Sequence, residues 1–393
     1  MKISVAKSCL LAIAGIGSLP VSAATITVLP GELAAKFALA QNGDVLVLKG
    51  AFDRTQIANR TFTSAVTIDA RGATFANGLS VRNVSNVTFL GGTWGSLTTP
   101  LSSNNALGIN TGANITVRGA TFLGMQSGQG VIATNISNMT VQSNTFQGLK
   151  VGVSFFGVNN GILSGNNVTK SASDGFNIVD SRSVRATSNS CSNFTPGLGA
   201  HPDCIQLWAS ADKPMQENIS LIGNRAVGAM QGFTSFDPKA ASGKNLRFEG
   251  NYIEGIFPQG IACYGCFDSV IINNTLIAMP TATWRTSLNV VGGANNTVYG
   301  NILIDRRVKA GDIGIAAGEL DGFADGGFAR SFESDFADAQ SVFAQGFDAS
   351  DLLDFEASSL PGNVPEPAIW AQLILGFGLI GAVRRRRTVA LAA

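Results

Sequence analysis

Val141-Gln142-Ser143-Asn144 is the first of seven short motifs in which two strand-forming residues precede Gly, Ser or Asn and then Asn. The motifs end at Asn144, Asn166, Asn189, Asn224, Asn251, Asn274 and Asn301. These residues are separated by 22, 23, 35, 27, 23 and 27 residues, a period typical of stacked structural units. The intervening segments are short, alternating and broken by Gly and Asn, which predicts coils of β-strands. Asn tolerates left-handed geometry at a corner, and stacked Asn side chains can hydrogen-bond in a ladder.

The composition restricts the class of protein. Only 13% of the 393 residues are charged and 46 are Gly, which suits a β-solenoid with many tight corners. The formal net charge of +1 does not favour nucleic-acid binding, so we expect no nucleic-acid partner. His201 is the single histidine, which excludes a metal site built from several His side chains.

The N-terminus has the pattern of a secretory signal over residues 1–23. Lys2 and Lys7 form a basic start, and an apolar centre runs from Leu10 to Ile16. Val21-Ser22-Ala23 is a cleavage site of the expected type, so we expect export of a chain that begins at Ala24.

Three segments follow the signal: one before the repeats, the repeats themselves, and one after them. Residues 24–51, with a short helix predicted between Pro30 and Ala40, fit an N-terminal cap over the open core. Parallel coils are expected over residues 52–310. Residues 311–362 are rich in Asp, Glu and Phe and predict a C-terminal cap followed by an acidic spacer.

The C-terminal segment 363–393 carries a second targeting pattern. Val364-Pro365-Glu366-Pro367 precedes an apolar stretch at 369–383, and four arginines, Arg384 to Arg387, follow it. The stretch predicts one short transmembrane helix, with the arginines held in the cytoplasm. The arrangement resembles the PEP-CTERM sorting signal of Gram-negative bacteria. That resemblance implies an exosortase as partner, transient anchoring in the inner membrane, and a final location at the cell surface, outer membrane or outside the cell.

Four cysteines remain after removal of the signal. Cys191 and Cys204 bracket a loop, which favours a disulfide between them in an oxidising compartment. Cys263 and Cys266 are close enough in sequence for a local disulfide or for two packed thiols.

Alignment of the coils on their Asn corners predicts which residues open the next strand. These are Gln129, Val151, Asp174, Asp203, Gln231, Gln259 and Arg285. Because neighbouring coils lie about 4.8 Å apart, Asp174 and Asp203 should be neighbours on one face. Gln231 and Gln259 should flank them, with Arg285 further along.

The strands that follow predict an outer face for sugar binding. Phe176, Ile205 and Phe233 should point inward, while Asn177, Gln206 and Thr234 should point outward. One step further, Trp208, Phe236 and Tyr264 should form an outward aromatic column, which would bind the apolar faces of sugar rings or be covered by a loop. The candidate substrate-binding residues are Gln206, Trp208, Gln231, Phe236, Gln259 and Tyr264.

The longest interval between Asn corners contains Thr195 to Trp208, with the only histidine, His201, two residues before Asp203. Long insertions in solenoids map to loops that often carry the working face. His201 is therefore either a general acid or base near the carboxylates or an inert surface histidine.

These features resemble the right-handed parallel β-helix, pectate-lyase-like superfamily over about residues 25–310. The Asp-Gly-Phe opening at Asp174 and the His201-Pro202-Asp203-Cys204 opening are similar to its strand openings. The resemblance implies a polysaccharide lyase, a polygalacturonase-like hydrolase, a mannuronan epimerase or a non-catalytic surface protein. The hydrolase motifs Gly-His-Gly and Arg-Ile-Lys are missing, and His201-Pro202-Asp203 reverses the Asp-Pro-His of the epimerases. By resemblance to calcium-dependent lyases, Asp174, Asp203 and Asp237 would hold Ca²⁺, with Arg285 or Lys239 as base.

The sequence thus supports two main hypotheses. The first is an exported polysaccharide-binding β-helix protein, with lyase or related chemistry carried by Asp174, His201, Asp203 and Arg285. The second is a non-catalytic surface or extracellular-matrix protein linked to exopolysaccharide. A hydrolase that uses the Asp174 and Asp203 carboxylates is a further alternative.

Overall fold

A computed structural model describes residues 23–101, 104–197, 200–210, 213–236, 243–307 and 316–320. The predicted signal peptide except its last residue, the acidic spacer beyond residue 320, and the sorting signal with its membrane segment lie outside these ranges. In the part of the chain that is described, no helix combines the length and apolar character needed to cross a bilayer.

The described chain forms a right-handed parallel β-solenoid of about 11 turns, which confirms the fold class predicted from the repeat. The first elements are β1 Thr25–Val28, α1 Leu33–Leu39, β2 Val45–Ala51, β3 Thr55–Phe75, β4 Leu79–Leu90, β5 Thr93–Gly95, β6 Asn105–Arg118, β7 Thr121–Leu123, β8 Gln129–Gln142 and β9 Thr145–Gln147. From β10 onward, most coils divide into three short strands separated by corners.

The later coils build three parallel ladders. The first ladder contains β10 Val151–Phe156, β13 Phe176–Val179, β16 Asp203–Trp208, β19 Gln231–Phe236, β23 Gln259–Tyr264 and β27 Ser287–Val291. The second contains β11 Asn159–Ser164, β14 Arg182–Thr187, β17 Ser220–Ile222, β21 Arg247–Glu249, β25 Val270–Ile272 and β28 Thr297–Tyr299. The third contains β12 Asn167–Thr169, β15 Ser190–Ser192, β18 Arg225–Gly228, β22 Tyr252–Gly255, β26 Thr275–Ala278 and β29 Asn301–Asp305. A separate pair, β20 Gly243–Lys244 and β24 Cys266–Phe267, lies beside these ladders, and β30 Ala316–Leu320 pairs antiparallel with β29.

Stacked aromatic rings fill the core of the early coils. Phe75 lies 4.1 Å from Trp94 between ring centroids, at an interplanar angle of 3°. Phe122 and Phe146 continue the stack with a centroid distance of 4.8 Å. Because successive coils contribute one ring each at the same strand position, the apolar core is continuous along the axis.

The seven repeated Asn side chains form a buried ladder. Asn224 is representative: its Oδ1 accepts hydrogen bonds from the backbone N and the Nδ2 of Asn189. Its Nδ2 donates to the carbonyl of Ala186 at 3.0 Å and to Oδ1 of Asn251 at 3.1 Å. The predicted ladder is present, but the prediction that these Asn residues adopt left-handed geometry is wrong. The positive φ angles belong to the residue before each ladder Asn, for example Gly223 and Gly250.

The N-terminal helix lies within the segment where it was predicted. Helix α1 buries Leu33 and Phe37, and the Phe37 ring packs edge-on against Phe62 with centroids 5.6 Å apart. Arg60 donates hydrogen bonds to the carbonyls of Ala38 and Ala40 at the end of the helix. These contacts fix the helix against β3.

Candidate functional site

Two acidic residues, Asp174 and Asp203, lie side by side where strands of the first ladder begin. Phe176 pairs with Ile205 in the parallel register, and Gly175 N donates to the carbonyl of Asp203 at 2.8 Å. We call Asp174 and Asp203 the carboxylate pair. Gln231 occupies the same strand position in the next coil, opposite Asp203.

Arg285 does not continue this column, so its predicted position is wrong. Gln259 pairs with Ser287, and a register irregularity separates Gln259 from Ile261. Arg285 precedes the strand and is exposed, and its charge is among the causes that lower the pKa of Asp305, after the larger effects of Arg307. The structure therefore relates Arg285 to the end of the third ladder rather than to the carboxylate pair.

All four oxygens of the carboxylate pair accept hydrogen bonds. Oδ1 of Asp174 accepts from the backbone N of Asp203 at 3.0 Å, and its Oδ2 accepts from Nδ2 of Asn177 at 3.2 Å. Oδ1 of Asp203 accepts from Oγ1 of Thr234 at 2.9 Å, and its Oδ2 accepts from Nε2 of Gln206 at 3.2 Å. The pair is thus part of one polar network that spans three coils.

The environment of the pair favours a proton on Asp203. Asp203 is 1% exposed and Asp174 is 7% exposed. Burial raises the pKa of Asp203 well above its usual value, and the charge of Asp174 raises it further, while the hydrogen bond from Thr234 opposes the shift. Two close carboxylates cannot both ionise easily in a buried site, so the pair is suited to hold one proton.

The predicted alternation of the strands is observed, but the outer residues are not exposed. Phe176, Ile205 and Phe233 lie in the apolar core. Asn177, Gln206 and Thr234 lie with the carboxylate pair and are buried. The sequence predicted these three side chains on the outer face, but only Gln206 was a candidate site residue. Asn177 and Thr234 could have been recognised because polar residues recur at this strand position in successive coils.

The aromatic column has the predicted register. Trp208 pairs with Phe236, and the adjacent pair of Ser235 with Cys263 places Tyr264 in the same column. Trp208 and Tyr264 are half-buried.

Polar side chains hold parts of this column in place. Nε2 of Gln259 donates to Oη of Tyr264 at 3.2 Å, and burial raises the pKa of Tyr264 to about 12. Gln216, in the insertion after β16, donates from Nε2 to the carbonyls of Ile178 and Trp208, each at 2.7 Å. The insertion is therefore fixed against the ends of the strands that carry the column.

His201 lies in the loop before β16 and is exposed. Desolvation of its ring lowers the pKa of His201 below the ordinary value, which favours the neutral imidazole. A neutral imidazole two residues from Asp203 has the protonation state of a base.

Both cysteine pairs are disulfides in the structure. Cys191 and Cys204 are joined with Cα atoms 5.6 Å apart, as are Cys263 and Cys266. Because Cys204 follows Asp203 directly, the first disulfide ties the opening of β16 to β15 in the preceding coil.

The described residues do not fit a Ca²⁺ site by themselves. Asp237 lies outside the described ranges, and no cluster of three or more His, Cys, Asp or Glu side chains suited to a metal occurs within them. The carboxylate oxygens face the hydroxyl of Thr234 and the amide nitrogens of Asn177 and Gln206, which are donors rather than metal ligands.

A family model described as "Right handed beta helix region" matches residues 77–306. Among solved structures, an alginate lyase from Paenibacillus sp. str. FPU-7 aligns with a TM-score of 0.44 and 14% identity, covering 71% of this chain and 99% of that one. The Streptococcus pneumoniae surface protein and adhesin PfbA aligns with a TM-score of 0.42 and 10% identity, covering 70% and 88%. Pectate lyase Pel9A aligns with a TM-score of 0.40 and 12% identity, covering 72% and 80%. At these identities the likeness concerns the fold alone. No curated protein matches the sequence.

Proposed function

The chain belongs to the right-handed β-helix family, and on this premise we propose that it is an exported polysaccharide-binding protein that acts on its ligand through Asp174 and Asp203. The observation that carries the proposal is the buried carboxylate pair, in which burial and the neighbouring charge raise the pKa of Asp203. Groups whose environments separate their protonation states are the usual carriers of acid–base chemistry.

The pair supplies both partners of a proton transfer at a glycosidic linkage. Protonated Asp203 would donate to the leaving oxygen, while ionised Asp174 would remove a ring proton in an elimination or activate water in a hydrolysis. Both routes use only the carboxylates and need no metal ion.

The surrounding amides support sugar binding at the same place. Oδ1 of Asn177 is buried and has no hydrogen-bond partner among the described residues, so it is available to a sugar hydroxyl. Trp208 and Tyr264 lie further along the strands, where half-buried rings can pack against the apolar face of a sugar. The face therefore offers the mixture of polar and aromatic contacts that sugar recognition uses.

A second candidate, a non-catalytic surface or matrix protein, is favoured by one observation. Every oxygen of the carboxylate pair already accepts a hydrogen bond from the protein, as expected of a structural network that stabilises adjacent coils.

The test is incubation of the purified chain with a panel of acidic and neutral polysaccharides. Release of reducing ends together with ultraviolet-absorbing unsaturated uronides would identify elimination, and reducing ends alone would identify hydrolysis. Binding without cleavage of any member of the panel would support the non-catalytic candidate.

Export and sorting are part of the same proposal. The basic and apolar N-terminus and the PEP-CTERM-like tail support secretion and processing by an exosortase. Mass spectrometry of the protein recovered from cells tests this, with a chain expected to begin at Ala24 and to end near Pro365. Recovery of the unprocessed chain from the cytoplasm would contradict it.

A further inference from the structure

The first residues of the described chain are held by one buried carboxylate, that of Asp44. Its Oδ1 accepts a hydrogen bond of 2.8 Å from the backbone N of Ala24, and its Oδ2 accepts one of 2.7 Å from the backbone N of Gln41. The carbonyl of Ala24 accepts from the backbone N of Val45 at 2.8 Å. Ala24 is therefore bound through both its N and its carbonyl oxygen.

The described side chains provide no cation for the Asp44 carboxylate. Asp44 is 2% exposed, and both of its side-chain hydrogen bonds come from backbone N–H groups. None of the ion pairs within the described ranges includes Asp44. Because buried carboxylates are usually paired with an opposite charge, a positive group is expected at this position.

The nitrogen that binds Asp44 is the one that signal cleavage would release. The sequence Val21-Ser22-Ala23 predicts cleavage after Ala23, which makes Ala24 the first residue of the mature chain. Ala23 and Ala24 are both exposed, whereas Val28 at the end of β1 is fully buried. The predicted cleavage point is thus an exposed peptide bond directly beside a buried carboxylate.

Cleavage changes this nitrogen from a neutral amide into a cation. Hydrolysis of the bond between Ala23 and Ala24 consumes one water molecule, whose oxygen joins the new carboxylate of Ala23 and whose two protons join the nitrogen of Ala24. A free α-amine has an ordinary pKa of about 8, so it is largely protonated at neutral pH. An ammonium can donate to Oδ1 of Asp44 as the amide does, and a charge-assisted hydrogen bond is roughly twice as strong as a neutral one.

We propose that Asp44 is the binding site for the α-ammonium group of Ala24 that removal of the signal peptide creates, and that this ion pair fixes β1 to the solenoid. The inference rests on the proposed export of the protein and adds a consequence of processing. Within the described chain β1 pairs with β2 alone, so its attachment depends strongly on the contacts of Ala24. Because the ion pair forms only after cleavage, β1 is more weakly attached in the precursor than in the mature protein.

A double-mutant cycle in four purified proteins tests the ion pair. The chain begins either at Ala24 (mature) or at Val21 (extended), and each form carries either Asp44 or the substitution Asp44→Asn. In the extended chain the nitrogen of Ala24 remains an amide, so the hydrogen bond is retained without the charge. The readout is the hydrogen-exchange rate of the β2 amides, measured by mass spectrometry, because Val45 N is bonded to the carbonyl of Ala24.

The expected result is a difference that depends on Asp44. With Asp44 present, β2 should exchange about 10-fold more slowly in the mature chain than in the extended chain, because the ion pair opposes local opening of β1. With Asp44→Asn the two chains should exchange within about two-fold of each other. Asp53→Asn is the matched control: it removes an exposed carboxylate between β2 and β3 and should preserve the difference.

The outcomes separate the ion pair from the proposed export. Equal exchange of the mature and extended chains with Asp44 present overturns the ion pair and leaves the export standing, and this comparison holds even if Asp44→Asn does not fold. A difference that persists unchanged in Asp44→Asn overturns the ion pair as well. Recovery from cells of a chain that begins at a residue other than Ala24 overturns both the predicted processing and the ion pair.

Discussion

The backbone N of Asp203 donates a hydrogen bond of 3.0 Å to Oδ1 of Asp174, one coil away. The bond joins the backbone of Asp203 to the side chain of Asp174, which the chain separates by a long loop, and it follows from the parallel register of β13 and β16. Asp203 is the more buried of the two, and burial raises its pKa. The proposed division into an acid and a base rests on this difference between the two environments.

Asp203→Asn should stabilise the protein at neutral pH. In the folded state the pKa of Asp203 is raised, so its contribution to the free energy of unfolding is favourable at low pH and is lost as pH rises from about 4 through the raised value. Asn cannot ionise, so the variant should melt at a higher temperature than the wild type at pH 8 and at a similar temperature near pH 4.

Asp305→Asn is the control of opposite sign. The Arg307 guanidinium, chiefly through its side-chain hydrogen bond, lowers the pKa of Asp305, so this residue stabilises the fold above about pH 4. Its substitution should lower the melting temperature at neutral pH.

The difference in melting temperature between wild type and Asp203→Asn should change with pH. A constant difference from pH 4 to pH 8 would show that Asp203 is not the buried titrating group.

Asn224→Ala should destabilise the solenoid by about 3 kcal/mol, because it removes the four buried hydrogen bonds of this ladder position. Denaturant unfolding measures the change. The control is Asn138→Gly, because the Asn138 side chain makes only exposed hydrogen bonds, with Asn114 and Asn160, and Gly accommodates the φ of 59°. A loss in Asn138→Gly as large as in Asn224→Ala would contradict the special role of the buried ladder.

The variant C191A/C204A should lose about 2–4 kcal/mol of stability, because it lacks the disulfide that closes a loop with a sequence separation of 13. C263A/C266A should lose less, because its sequence separation is 3. If the first disulfide also positions Asp203, C191A/C204A should lose catalytic or binding activity at temperatures where it remains folded. Full activity in that folded variant would limit the disulfide to stability.

Gly175→Ala should disturb the site directly. A Cβ at Gly175 would lie 2.6 Å from Sγ of Cys191 and 2.6 Å from the carbonyl oxygen of Cys204, so the backbone must shift next to the carboxylate pair. We expect a loss of about 1–3 kcal/mol in chemical denaturation. Gly197→Ala, where a Cβ would meet no atom within 4 Å, should leave stability within about 0.5 kcal/mol of wild type. Equal stability of the two variants would mean that the coils can separate at Gly175 without cost.

The sequence predicted features that depend on counting along the repeat. The Asn corners predicted the coils, and alignment of the strand openings that follow those corners predicted that Asp174 and Asp203 would be neighbours. The predicted position of Arg285 is wrong because the register of β23 and β27 is irregular. Ser287, rather than Arg285, pairs with Gln259.

The burial of the polar side chains around the carboxylate pair could not be predicted from the repeat. The buried state of Asn177 and Gln206 depends on contacts between coils, which the spacing along the chain does not show. The predicted left-handed residue was wrong by one position. Gly, Ser or Asn precedes each ladder Asn, and all of these residues tolerate positive φ, so the sequence alone does not show which of the two positions adopts it.

The most direct test of the central claim is the rate at which wild type and Asp203→Asn release reducing ends from an acidic polysaccharide under identical conditions. If Asp174 and Asp203 act as an acid–base pair, the wild type should cleave the polymer. The folded Asp203→Asn variant should then cleave it at least about 100-fold more slowly, in the range expected for removal of a general acid. Equal rates in the two proteins, or no cleavage of any polysaccharide by the wild type, would contradict the assignment of Asp174 and Asp203 as an acid–base pair.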